Sequence, residues 1–143
     1  MFAQRAEARV DADAWDAQGS RFFATRVRVE EPGEIAAAAR LLVVPEGASH
    51  GVRRVLGRQR AAEDLALAEK ADARAGDTGL ALLARRCQTV WLVERVGDDD
   101  ALALRLAAVL ASAMLGPILD VHHDELFGVK TARAKLERGA AKA

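Results

Sequence analysis

Residues Ala101 to Leu115 are apolar on nearly every side, with Arg105 the one charge among them. A helix without a polar stripe has to be covered all round, so whatever fold this chain adopts must wrap that segment. Gly97-Asp98-Asp99-Asp100 marks its start, because the acids satisfy free N–H groups and match the positive end of the helix dipole. Gly116 stands where a C-cap belongs, and Pro117 prevents continuation. Before the helix, Gln88 to Val96 reads as a strand with both faces covered: Val90, Leu92 and Val96 on one side, Thr89, Trp91 and Val93 on the other. After it, Ile118 to Val121 reads as a short strand. If the two strands share a sheet, they are parallel and joined by a right-handed crossover.

Arg21 to Glu30 alternates Phe23, Thr25, Val27 and Val29 with Arg26, Arg28 and Glu30, a strand with one wet face. Residues Ala6 to Ala14 also alternate, which favours a strand followed by a hairpin turn at Asp16 to Ser20, although their alanines favour a helix. Pro32 suits the first turn of a helix running to about Leu42. Ser49 suits the N-cap of a long helix to about Ala75, with Val52, Val55, Leu56, Ala62, Leu65 and Ala66 as its core stripe and Gly57 a weak point inside it. Leu80 to Cys87 reads as a short helix with Leu80, Leu83, Ala84 and Cys87 facing inward. His122 to Glu125 reads as a turn. A helix follows Lys130, and residues 139–143 are expected to fray.

With 143 residues the chain fits one domain with a real core. Hydrophobic residues make up 51% and charged residues 29%, which are globular values. Together these features predict one α+β domain, a two-layer sandwich of a small mixed sheet packed by helices, for which the ferredoxin-like arrangement is the nearest common template. Cys87 is the sole cysteine, so no intrachain disulfide can form. A charged N-terminus without the apolar core of a leader makes a cytoplasmic location the expectation. Ala101 to Leu115 is too short to span a bilayer and carries Arg105. The succession of acid-rich loop, apolar helix and short strand is one that recurs in small bacterial domains.

The 21 basic and 21 acidic residues cancel, so no global field steers the chain toward nucleic acid or membrane. Charge is nevertheless segregated, basic over His50 to Arg60 and acidic over Asp98 to Glu125, which suits self-association or a charged partner.

Asp120, His122, His123 and Asp124 form the densest group of ligand-type side chains. Imidazole and carboxylate together suit a divalent metal, provided that three or four converge. Their spacing lacks an H-x-x-x-H pattern, and a polar turn explains them as well. His50, Arg53 and Arg54 at a helix start would hold an anion. Arg53, Arg54, Arg58 and Arg60 would follow phosphates, but the chain's pI near 6.8 and the nearby Glu63, Asp64 and Glu69 favour an ordinary solvated helix. Cys87 reads as an inert core thiol, and Glu94 as exposed or, if buried, paired with Arg95 or Arg105. No catalytic motif is legible. The sequence favours a non-catalytic binding or assembly module whose partner is protein, most simply a second copy, with no cofactor; a metal protein using Asp120 to Glu125 is the alternative.

Overall fold

The computed structural model describes residues 1–142, with side chains as far as Gly139. In chain order the elements are β1 (Phe2–Ala3), α1 (Ala12–Phe22), β2 (Thr25–Pro32), β3 (Ala38–Pro45), β4 (Gly51–Gln59), α2 (Ala62–Arg74), α3 (Leu80–Arg86), β5 (Thr89–Val93), α4 (Ala101–Met114), β6 (Ile118–Asp120), β7 (Glu125–Phe127) and α5 (Val129–Lys142). The fold is α+β. Five strands pair in the order β1-β5-β4-β3-β2, and β6 and β7 form a separate hairpin.

The apolar α4 is wrapped as its composition requires. Leu106 to Ala111 are buried, and they meet Trp15 of α1, Val27, Leu41, Val43 and Val55 of the sheet, and Ala132 and Leu136 of α5 in one core. Trp15 and Trp91 cross edge to face there, their ring centroids 5.1 Å apart, a geometry that adds about 0.5–1.5 kcal/mol beyond area burial. A second cluster lies across the sheet. Val90, the neighbour of Trp91 on the pleat, packs with Phe2, Ala68 of α2, Ala84 of α3 and Leu126 of β7. Helices therefore cover both faces at the β5 end, while Arg54 and Leu56 on the outer face of β4 are exposed.

Several expectations give way. The sheet is antiparallel throughout and not mixed, and β5 and β6 lie in different sheets, so α4 is no parallel crossover. A β2-β3-β4 meander replaces ferredoxin-like interleaving. The helix expected from Pro32 to Leu42 is a turn followed by β3, and the first half of the Ser49–Ala75 helix is β4. Gly57 sits in that strand for packing reasons: a Cβ there would lie 2.7 Å from the Ala8 Cβ and 2.9 Å from the Trp91 ring. The strand expected over Ala6 to Ala14 is irregular chain that enters α1, and the hairpin turn at Asp16 to Ser20 lies inside that helix. The left-handed residue closing α4 is Leu115 (φ 56°) and not Gly116. Finally, α5 continues to Lys142 through residues expected to fray, and Ala143 lies outside the described residues. No helix among the described residues is long and apolar enough to cross a membrane.

Candidate functional site

A groove of about 1170 Å³ opens at the free end of β5. Its lining includes Met1 and Phe2, Trp91 to Val93, Asp98 to Asp100, Leu119 to His123, and residues of α4 and α5. β1 and β4 flank β5 in the sheet. β5 pairs with β4 along its full length, yet on its other side it meets only Phe2 and Ala3, at Val90 and Thr89. Met1 extends that contact by one residue: Trp91 N–H donates to the Met1 carbonyl at 2.8 Å, and the Met1 amine donates to the Trp91 carbonyl at 3.0 Å. Thr89 Oγ1 holds the strand from below by donating to the Arg5 carbonyl at 3.0 Å.

Above Met1 the rim is charged. Arg95 donates to Asp120 at 2.9 Å and also to the carbonyls of Gly97 and Asp98. Asp120 Oδ2 lies 2.8 Å from His123 Nδ1, which must carry the proton to face a carboxylate, and the His123 N–H donates to Oδ1 at 3.2 Å. Burial pushes the Asp120 carboxyl up, but His123 and the Arg95 guanidinium outweigh it and hold it below the usual carboxylate range. His122 turns the other way, its Nε2 3.5 Å from Asp98. The two imidazoles meet edge to face with centroids 4.8 Å apart.

One ion pair anchors the rim to the sheet. Arg53 points inward from β4 and grips Asp100 with two bonds, of 2.7 and 2.9 Å. Only 3% of the Asp100 side chain is exposed. Its carboxylate also accepts from Val96 N–H at 2.8 Å and from Ala103 N–H at 3.1 Å, so one group closes the turn and caps α4. Burial pushes this carboxyl up, and Arg53 with the two N–H groups brings it below its ordinary value.

The residues singled out in the sequence scatter. Asp120 and His123 come together, whereas His122 pairs with Asp98 and Asp124 with Arg74 at 3.1 Å. Among the described residues no three His, Cys, Asp or Glu side chains converge as metal ligands. His50 is exposed in a loop before a strand, so the helix start needed for anion binding there is missing. Arg53 serves Asp100, Arg58 grips Asp64 at 2.6 and 2.8 Å, and Arg60 donates to the carbonyls of Ala84 and Arg85. The four arginines thus leave no single phosphate-tracking face. Cys87 is buried and donates to the Leu83 carbonyl at 3.3 Å, and burial pushes its thiol up, away from nucleophilic use. Glu94 lies beside Arg54 at 4.0 Å. Sequence reasoning missed Met1, Leu92, Arg95 and Leu119, because a two-residue strand carries no periodic signal.

The buried Met1 amine yields a test. Burial lowers it from its ordinary value of 8.0 to about 6. For a base whose folded value is lowered, the unfolded chain holds more protons between those two pH values, so stability rises with pH across that window and is lower below it. A two-unit depression corresponds to about 2.7 kcal/mol. Urea unfolding of a chain with a free amine at Met1 should show this rise from pH 6 to 8, and acetylation of Met1 should remove it.

Comparisons with protein-family models, curated proteins and solved structures found no match for this chain.

Proposed function

We propose that the chain is a non-catalytic binding and assembly module whose docking surface is the groove at the free end of β5. The observation that carries this reading is apolar surface left bare there. Leu92 is 47% exposed and Val121 is 64% exposed, both on the groove. Leu56, opposite Leu92 in the strand register, extends the patch, and Val96 stands just beyond the strand end. Contiguous apolar surface beside a charged rim is the usual mark of a protein-docking site. The charged groups of the rim support binding over catalysis. Asp100 and Asp120 are both held ionised by structural partners, so neither is poised as a general acid near neutral pH.

A second copy is the first partner to examine. The exposed Asp98 and Asp99 on the rim complement the outer sheet face, where Arg40 and Arg54 stand opposite each other and Arg28 lies one strand further out. Sedimentation at rising protein concentration should show a mass increase that salt weakens. Leu92→Asp should weaken association by about tenfold or more, while leaving the urea midpoint nearly unchanged because the side chain is already half exposed. A monomer at every concentration and salt would eliminate the second copy as partner. Association untouched by Leu92→Asp would move the docking surface elsewhere.

A further inference from the structure

The outer face of the sheet carries its charges in one row. Leu41, Val43, Val55 and Trp91 point to the core, so their strand neighbours Arg40, Leu42, Arg54, Leu56 and Leu92 point the other way. Arg40 stands opposite Arg54 on β4 and opposite Glu31 on β2. Beyond Arg54 comes Glu94, whose N–H donates to the Arg54 carbonyl at 2.9 Å. Read across four strands, the row is Glu31, Arg40, Arg54, Glu94. Each arginine has its carboxylate on the outer side, at 3.2 Å for Arg40 and 4.0 Å for Arg54, and the two like charges meet in the middle, an unfavourable cross-strand pair. Apolar rows flank it. Leu42 and Val52 pair on one side, and Leu56 and Leu92, 39% and 47% exposed, pair on the other. α2 and α3 cover this face around Val90 and leave these rows bare.

From this row we infer that the bare face of β4 and β5 is an isologous interface, closed by a second copy about a two-fold axis that runs along the strands between them. This rests on the docking reading above and fixes the partner's orientation. Rotation about such an axis lays β4 over the partner's β5 and keeps each row at its own height. Leu56 then meets the partner's Leu92, and Arg54 meets the partner's Glu94, each contact occurring twice. Arg40, one strand further, lies past the partner's β5, on the side of the groove that Asp98 and Asp99 line. Other axes fit worse. Between β3 and β4, an axis sets Arg40 against the partner's Arg54; along the row, it sets every charge against itself. An axis between β2 and β3 matches Glu31 with Arg40, but it puts Arg28 on the partner's Leu42 and leaves Leu56 and Leu92 uncovered. The Arg54–Glu94 pair is free to exchange partners, because Arg54 is 71% exposed and a surface pair of this kind contributes little within one chain. Two sheets packed face to face lie about 10 Å apart, within reach of both side chains.

The test uses Arg54→Glu, which puts two acids in the contact, and Glu94→Arg, which puts two bases there. Both positions are exposed, so the urea midpoint of each variant should stay near that of the parent. Sedimentation of either variant alone should show self-association weakened by about tenfold or more, since like charges then face each other twice. An equimolar mixture should regain association, as a heterodimer that native mass spectrometry identifies by its mass. Variants that associate as well as the parent, or a mixture that stays monomeric while the parent associates, would overturn the two-fold. Loss of association in Leu92→Asp would then leave the docking reading standing. Masses that climb past two copies would also overturn it, because a closed two-fold contact stops at the dimer. A parent that is monomeric at every concentration would remove the two-fold together with the second copy.

Discussion

Asp100→Ala is expected to lower the unfolding free energy by about 3–5 kcal/mol, because it leaves the inward guanidinium of Arg53 buried without its counter-charge. Arg53 is only 14% exposed, and its two bonds to Asp100 join β4 to the start of α4. The same substitution removes the cap of α4, worth about 1 kcal/mol, and the partner of Val96 N–H. The pair's neutral replacement separates these effects. Arg53→Met combined with Asp100→Leu should cost far less than the two single changes together, since no charge is then stranded. Urea unfolding of the four proteins measures the coupling. Because the folded Asp100 carboxyl lies below its unfolded value, its contribution is complete above the ordinary carboxylate range and is lost as pH falls through the lowered value. A single Asp100→Ala chain within about 1 kcal/mol of the parent would show that the ion pair does not hold the rim.

Gly116→Ala is the second large effect. Gly116 is buried where the chain leaves α4 and crosses β1. A Cβ there would overlap the Phe2 carbonyl oxygen and lie 2.6 Å from the Phe2 carbonyl carbon. Neither side can yield cheaply, because Phe2 is pinned to Pro117 on one side and is in register with Val90 on the other. The expected cost is about 3 kcal/mol, the upper end for overpacking a core. Since the strain falls on β1, this variant should also expose Met1 and disturb the groove. Gly128→Ala is the control: a Cβ there meets nothing within 4 Å. Since Gly128 precedes α5 with its carbonyl accepting from Ala132 N–H, the loss should be that of a poorer cap alone, about 1 kcal/mol or less. Equal, small losses at the two glycines would contradict the tight crossing of β1.

The legible parts of this fold are those where local chemistry agrees with burial. The apolar run of α4, its acidic start and the alternation of β2 each followed from residue type. β5, expected to be covered on both faces as far as Val96, ends at Val93 and leaves Leu92 exposed, because no helix packs over that end. β4 was illegible because Arg53 faces inward with Val55 and Gly57, which breaks the alternation that marks a strand, and a glycine there looked like a flaw in a helix. β3 opens on Ala38 and Ala39, residues that favour a helix by propensity, and its pairing with β2 and β4 overrides them. The alternating alanines before α1 misled for the opposite reason, since a small side chain gains little from facing a core. At the site, the cluster Asp120 to Asp124 was visible as composition, but its pairing was not. Which carboxylate meets Arg95, Arg74 or an imidazole is decided by the β6–β7 hairpin and by helices far away in sequence.

Polypeptide docking at the free end of β5 is tested most directly by panning a display library of short random peptides against the chain, with every enriched sequence rechecked on Leu92→Asp. Enrichment of apolar, proline-poor peptides that lose binding to Leu92→Asp is the predicted result. An unenriched library, or peptides that bind both proteins equally, would contradict it.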